Sequence, residues 1–188
     1  MVDQTREKAR GHELGHLRLD RYTAAYDWAV QCIDTGHYLE AIAVLDSLLG
    51  DRLASRYSYV RRTEPSVRPA VGQLCKVLLH GPPKVVNPPI EVDPQFRAVI
   101  GEIQGWAKTR NSAMHQTAKI LRNGAARVGF KDILDEHRQT ALDGIALLRQ
   151  FDELDTLDRQ RAGKRPGTWP NAFFPEKRPL RPRRDDLT

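Results

Sequence analysis

Apolar residues recur along most of the chain at steps of three and four positions, the spacing that places them on one face of an α-helix. Five such stretches predict helices over residues 17–35, 38–62, 67–79, 94–121 and 131–161. The alternation of apolar and polar residues that is typical of half-buried strands is nearly absent. The pattern therefore predicts an all-α fold, an antiparallel helical bundle of about five helices, with the second helix at its centre.

Breaks in this pattern mark the ends of the helices. Gly36 follows the first stretch, and a residue just past a helix often needs a positive φ. The short connection predicts that the first two helices form an antiparallel hairpin. Residues 81–94 contain five prolines and predict a long surface loop, with a small ribbon at 85–92 as the only extended structure. Asp93 and Pro94 then predict a capped helix start.

The same spacing predicts which side chains are buried. Trp28, Trp106 and most tyrosines are expected in the core. Met114 is expected there too, on the apolar face of the fourth helix. His137 and Asp135 lie among charged residues and are expected on the solvated surface.

The end of the chain has a different composition. Residues 161–188 hold five of the twelve prolines and eight Lys and Arg residues against three acidic ones. This composition predicts an extended basic arm, after a polar segment at 1–16 and a helical bundle at 17–160. Its aromatic part, 168–175, is expected to pack on the bundle or on a partner protomer. Its basic residues are expected to bind RNA: Lys177, Arg178, Arg181, Arg183 and Arg184.

Charge and cysteine content narrow the class of protein. The net charge is +6 and the pI about 9.5, which favours an anionic partner. Two cysteines are too few for a disulfide framework, so a reduced, cytoplasmic protein is expected. The first residues lack the apolar core of a signal peptide, and no run of 18 apolar residues exists. A secreted mini-protein and a membrane protein are therefore not expected.

One short motif indicates zinc. His12-Glu13-Leu14-Gly15-His16 matches the HExxH pattern, in which two histidines on one helix face bind the metal of a zinc peptidase. Such a site also needs a third ligand and a helix buried behind a sheet. No third ligand follows at a typical spacing, and only eleven residues precede the motif. We interpret the motif as an exposed segment and predict neither metal nor cofactor, with a zinc peptidase as the minor alternative.

A second motif lies in the fourth helix, where the string RNSAMH contains Arg110, Asn111 and His115. Here the chain resembles the HEPN superfamily, small helical bundles whose ribonuclease members carry Arg, four to six residues, then His. The resemblance covers about residues 17–160 in helix number and in the place of the motif on a late helix. Asp51 and Arg52 resemble an acid–Arg pair that some HEPN proteins carry in the second helix.

The residue types suit the chemistry that this resemblance implies. RNA can be cut without metal when its own 2′-OH attacks the adjacent phosphate. Histidine, with a reference pKa of about 6.5, can move the protons, and the planar guanidinium of arginine can hold charge on the phosphate. Asn111 and His115 share a helix face, whereas Arg110 lies about 140° from His115 around an ideal helix and must reach the site through its long side chain.

The resemblance implies a metal-independent endoribonuclease, with a toxin or phage-defence effector as its biological role, Arg110 and His115 catalytic and Asn111 positioning them. It also implies a homodimer that joins two motifs across one cleft. Lys108, Arg52 and Asp51 are further candidates for RNA contact. An antitoxin or regulatory protein is a candidate partner. HEPN toxins that pair with a nucleotidyltransferase carry Tyr two residues after the His, where this chain has Thr117. The alternative is a non-catalytic HEPN-like module that binds RNA or protein.

Overall fold

The computed structural model describes residues 12–63, 65, 70–82, 88–116 and 129–164. This part of the chain contains five helices and no strand, which confirms the all-α prediction. The helices are α1 (His12–Asp34), α2 (Tyr38–Arg61), α3 (Val71–His80), α4 (Pro94–Gln116) and α5 (Phe130–Arg161). None of these described helices combines the length and the apolar character that a membrane crossing requires.

The connection between α1 and α2 is the tight turn that the sequence predicts. Gly36 has a φ of 83°, in the left-handed region that glycine occupies without steric cost. The backbone N–H of His37 donates to the carbonyl of Cys32 at 2.7 Å, which satisfies a carbonyl at the end of α1. The two helices therefore fold back on each other as an antiparallel hairpin.

The central helix is α2, which packs against each of the other four helices. Its buried face is apolar because Ile, Leu and Ala recur there at helical spacing. The fully or almost fully buried apolar residues of this face are Ala41, Ile42, Leu45, Leu48, Leu49, Leu53 and Ala54. The core of the bundle is therefore arranged around α2, as predicted.

Side-chain contacts fix the directions of α4 and α5. Near the start of α4, Phe96 packs edge-to-face on Phe151, which lies late in α5, with ring centroids 5.8 Å apart. Further along α4, the indole Nε1 of Trp106 donates to the carbonyl of Thr140, early in α5, at 2.8 Å. The two helices are thus antiparallel, and the last turns of α4 lie beside the first turns of α5.

The two ends of the bundle carry different polar groups. At one end Asp46 of α2 pairs with Arg110 of α4, and we call this the motif end. At the other end Arg56 of α2 pairs with Glu91 and with Asp158 of α5, and we call this the network end.

The start of α4 follows the predicted capping signal. The Asp93 carboxylate accepts hydrogen bonds from the backbone N–H groups of Gln95 at 2.8 Å and Phe96 at 3.2 Å. Pro94 is the first helical residue, where its missing N–H costs no hydrogen bond. The local chemistry of Asp93 and Pro94 therefore sets where α4 begins.

Several predicted boundaries differ from the structure. The first helix begins at His12 rather than near residue 17, because lengthening an existing helix costs little even where its side chains do not pack. Leu17 is accordingly 58% exposed. The third helix begins at Val71 rather than at residue 67. Residues 88–92 form no strand, and residues 83–87 and 117–128 lie outside the described part of the chain.

The prediction that Trp28 is buried was wrong, whereas that for Trp106 is confirmed. Trp28 is 46% exposed and its indole Nε1 donates to the Glu40 carboxylate at 2.9 Å. Because α1 packs mainly against α2, only one face of α1 is covered, and Trp28 lies outside that face. Trp106 is 5% exposed, between α4 and α5.

Candidate active site

Helices pack closely around Gly144 of α5, near the motif end. A methyl group in place of the Gly144 hydrogen would lie 3.0 Å from Trp106 and 3.1 Å from Leu45. Glycine therefore lets α2, α4 and α5 approach closely at this level. This packing fixes the part of α4 that carries Arg110, one helical turn after Trp106.

Arg110 is held on two sides of its guanidinium. Its Nη2 pairs with the Asp46 carboxylate, and its Nη1 donates to the side-chain oxygen of Asn111 at 2.7 Å. The Arg110 side chain is 14% exposed and that of Asp46 is 31% exposed. The structure therefore places the Arg110 guanidinium against Asn111 and adds a carboxylate from α2.

The environment of Asp46 is partly desolvated. Burial raises the pKa of the Asp46 carboxyl above its ordinary value, and the Arg110 guanidinium offsets only part of that rise. The ion pair therefore adds little to the stability of the folded protein. It nevertheless restricts where the Arg110 guanidinium can point.

His115 occupies the solvent side of the last described turn of α4. It is exposed, and Asn111 lies one turn before it on the same face. No hydrogen bond or ion pair joins His115 to Arg110 within the described part of the chain, because Arg110 turns inward to Asp46. The prediction that Met114 is buried was wrong: it is 42% exposed. At the start of α5, the neighbouring helix, Phe130 is itself 61% exposed, so the core ends before this turn.

The other candidates for RNA contact differ in their exposure. Lys108 is exposed on α4. Arg52 is 12% exposed and pairs with Asp152 and Asp155 of α5, donating to Asp155 at 2.9 Å. Burial by itself disfavours the charge of Arg52, but the three carboxylates Asp152, Asp155 and Asp51 outweigh it and raise the Arg52 pKa. The charge of Arg52 is thus compensated inside the protein, about two helical turns along α2 from Asp46.

Arg52 belongs to a larger ionic network at the network end. Arg56 donates to Glu91 at 2.6 Å and to Asp158 at 2.5 Å, and its guanidinium lies 3.6 Å from the centroid of Phe96. Arg159 donates to Asp155 at 2.8 Å. This network joins α2 and α5 to the segment before α4. Its guanidinium groups pair with its own carboxylates.

Some candidates lie outside what the structure describes. These are the basic arm residues Lys177, Arg178, Arg181, Arg183 and Arg184, together with Thr117. For the zinc motif, the side chains of His12 and Glu13 lie outside as well, whereas His16 is exposed. The described residues contain no group of three or more His, Cys, Asp or Glu side chains that could hold a metal ion.

The prediction that His137 is solvated was wrong. His137 is 4% exposed, on the packed face of α5. Burial lowers the pKa of its imidazole, and the neighbouring Glu136 offsets only part of that decrease. Asp135 is exposed, as predicted.

Sequence reasoning missed Asp46 and His137 for different reasons. His137 precedes Ala141 and Gly144 by four and seven residues, so helical spacing alone indicates that it shares their buried face. Asp46 follows Leu45 at the edge of an apolar stripe. Nothing in the sequence distinguishes it from a solvated carboxylate, since its partner Arg110 is distant in the chain.

Comparisons with known proteins add no relative. The chain matches no family model, and no curated protein or solved structure matches it. The resemblance to the HEPN superfamily therefore depends on the residues described above, and it remains a prediction.

Proposed function

We propose that the protein is a metal-independent endoribonuclease of the HEPN type. The observation that carries this proposal is the arrangement on α4, where Arg110 is oriented by Asp46 and Asn111 while His115 stands exposed one turn beyond Asn111. A fixed cation and a solvent-accessible imidazole are two of the groups that RNA cleavage by its own 2′-OH uses.

In the proposed reaction the 2′-oxygen attacks the adjacent phosphorus while the bond to the 5′-oxygen breaks. A base takes the proton of the 2′-OH and an acid returns a proton to the leaving 5′-oxygen. The products are a 2′,3′-cyclic phosphate and a 5′-OH end. His115 moves protons in this scheme, and Arg110 stabilises the negative charge that develops on the phosphate oxygens.

One imidazole cannot be base and acid in the same step. The proposal therefore includes a homodimer, in which a second copy of the chain supplies a second His115 across a shared cleft. It also includes a biological role as a toxin or phage-defence effector that an antitoxin or regulatory protein controls. The basic arm and the exposed Lys108 are proposed to contact the RNA backbone.

A non-catalytic binding module is the second candidate, and the pair between Asp46 and Arg110 favours it. A guanidinium that a carboxylate already neutralises attracts phosphate less than a free one. In this alternative the protein binds RNA or another protein and cuts nothing. The two candidates differ in one observable property, the integrity of bound RNA.

The test is cleavage of a labelled RNA by the purified protein in excess EDTA. We expect cleavage by the wild-type protein and a loss of about 10²–10⁴-fold in His115→Ala, the usual contribution of a general acid or base. His80→Ala is the matched control, because His80 is also exposed but ends α3 away from the motif end. If the protein binds the RNA but leaves it intact, the result would support the binding module instead. Equal cleavage by the wild type and His115→Ala would exclude His115 from the reaction.

A further inference from the structure

Four exposed cations lie where α2 and α5 end, at the network end of the bundle. They are Arg61 and Arg62 at the end of α2, and Arg161 and Lys164 at the end of α5. Their side chains form no ion pair or hydrogen bond with any residue of the described ranges. We call these four residues the basic end patch.

Contacts at two levels show that α2 and α5 run in the same direction and end together. Near the middle of the bundle, a methyl group on Gly144 of α5 would lie 3.1 Å from Leu45 of α2. Further along both helices, Arg56 of α2 donates to Asp158 of α5 at 2.5 Å. The residue numbers rise together on both helices, so the two carboxyl ends lie side by side.

The same contact sets the level of the patch residues. Starting from the pair between Arg56 and Asp158, Arg61 lies about 7.5 Å further along α2 and Arg161 about 4.5 Å further along α5. The axes of packed helices are about 8–10 Å apart. The exposed cations of the two helix ends therefore belong to one surface.

The carboxylates of the ionic network at this end are engaged with the three arginines of that network. These carboxylates are Glu91, Asp152, Asp155 and Asp158. The carboxylate of Asp93, in the segment before α4, accepts backbone N–H groups at the start of that helix. The four cations of the patch outnumber the single carboxylate charge that the three arginines leave uncompensated, so the patch presents positive charge to solvent.

Stabilisation of the helices accounts for only part of the patch. Arg61 and Arg161 lie in the last turns of their helices, where a cation interacts favourably with the helix dipole. Arg62 is the C-cap of α2, and Lys164 follows the C-cap Ala162 of α5. Because the dipole effect falls off within the last turn, Arg62 and Lys164 call for another explanation.

We propose that the basic end patch binds the phosphate backbone of RNA. Three of its four cations are arginines, whose planar guanidinium matches a phosphate group through two parallel hydrogen bonds. The chain also continues from Lys164 into the basic segment 165–188, so the cations of the patch and of that segment are continuous in sequence. The choice of RNA as the ligand rests on the proposed function, whereas the patch is a site separate from the motif.

The position of the patch defines the length of RNA that it selects. Helix α5 has 32 residues and is about 48 Å long, with the patch at its last residues. His115 is in the last described turn of α4, which lies beside the first turns of α5. An RNA that contacts both the patch and His115 must therefore extend along most of the bundle.

A double variant tests the two charges that lie outside the helices. Arg62→Gln with Lys164→Gln removes them, and Arg21→Gln with Lys76→Gln is the matched control, because it removes one exposed Arg and one exposed Lys from α1 and α3. The full chain binds a long single-stranded RNA in a His115→Ala background, and fluorescence anisotropy gives Kd at several salt concentrations. We expect the slope of log Kd against log salt concentration to decrease by about 1.4 in the patch variant, about 0.7 per removed charge, and by less than half of that in the control.

A variant that conserves charge separates phosphate binding from folding. Arg62→Lys with Lys164→Arg should keep the wild-type salt dependence, and thermal unfolding shows that every variant is folded. Equal slopes in the patch variant and the control would overturn the proposal, as would a full chain that binds no RNA. Displacement of the RNA by poly-glutamate as efficiently as by unlabelled RNA would assign the patch to an acidic protein and overturn the choice of ligand.

The cleavage assay distinguishes this proposal from the ribonuclease proposal. If RNA is cut, the patch variant in the His115 background should raise KM about tenfold for a long RNA at unchanged kcat, and leave kcat/KM unchanged for a trinucleotide, which is too short to reach both ends. Cleavage without any effect of the patch variant would remove the patch and leave the ribonuclease proposal standing. RNA that binds through the patch but stays intact would remove the ribonuclease proposal and support the patch.

Discussion

At the residue scale, Arg110 is restrained through Asp46 of α2 and through the amide of its neighbour Asn111. The raised pKa of Asp46 means that the folded protein binds a proton there more tightly than the unfolded chain does. Near pH 7 the ionised carboxylate therefore lowers the free energy of unfolding relative to a neutral side chain. The pair orients the guanidinium more than it stabilises the bundle.

Asp46→Asn tests whether Asp46 orients the Arg110 guanidinium without stabilising the bundle. We expect its melting temperature to stay close to that of the wild type, because the neutral amide avoids the cost of a partly buried carboxylate but leaves the Arg110 guanidinium without its charged partner. We expect RNA cleavage to fall about tenfold, since Arg110 loses its restraint. Differential scanning calorimetry and the cleavage assay measure the two effects, with Asp135→Asn as the exposed control. A large loss of stability in Asp46→Asn would contradict this account of the pair.

The burial of His137 makes the stability of the protein depend on pH. Its pKa in the folded state lies below the value of about 6.5 in the unfolded chain. The unfolded chain therefore binds more protons between those two values, and the stability due to the neutral imidazole is lost as the pH falls below about 6.5. Urea unfolding of the wild type from pH 8 to pH 5 should show this decrease. The decrease should be smaller in His137→Leu, and equal slopes in both proteins would show that His137 is not buried as neutral imidazole.

At the element scale, helix starts and turns were predictable because their causes are local. Asp93 and Pro94 specify the start of α4, and Gly36 specifies the turn after α1. The partner of Arg110 was not predictable, because Asp46 reaches it only through the packing of α2 against α4. The exposure of Trp28 likewise depends on which face of α1 the bundle covers.

The close approach of α2, α4 and α5 predicts opposite effects for two helical glycines. Gly144→Ala should destabilise the protein by about 1–3 kcal/mol, because the added methyl group overlaps Trp106 and Leu45. Gly101→Ala, on α4 with no atom within 4 Å of its added methyl group, should stabilise it by up to about 1 kcal/mol through helix propensity. Chemical denaturation measures the free energy of unfolding of both variants. If both substitutions stabilised or both destabilised the protein, the packing described here would be contradicted.

At the scale of the whole molecule, the two ends differ in how their polar groups are paired. The network end joins α2, α5 and the segment before α4 through buried ion pairs, whereas the motif end presents Asn111 and His115 to solvent. A mutation at one end should therefore affect stability and cleavage differently from a mutation at the other.

Asp155 is the residue that tests the network end. It is fully buried and accepts hydrogen bonds from Arg52 at 2.9 Å and Arg159 at 2.8 Å. Asp155→Asn should lower the free energy of unfolding by about 1.5–3 kcal/mol, the range for a hydrogen bond to a charged group, because it removes a buried carboxylate that Arg52 and Arg159 share while Arg52 keeps Asp152. Asp143→Asn, an exposed aspartate of α5, should change it by less than about 0.5 kcal/mol. If Asp155→Asn and Asp143→Asn lowered the free energy of unfolding equally in a denaturation series, the network would add no more to stability than an exposed carboxylate does.

Attack by the 2′-OH of the RNA is tested with one RNA in two forms. The first is an all-ribose oligonucleotide that the protein cuts at a mapped position, and the second carries a single 2′-deoxynucleotide on the 5′ side of that position. Both are incubated with the wild-type protein in EDTA. The proposed reaction predicts cleavage of the first RNA to a 2′,3′-cyclic phosphate and no cleavage of the second at that position, because the attacking hydroxyl is absent. Equal cleavage of both, or an intact all-ribose RNA under every condition, would contradict it.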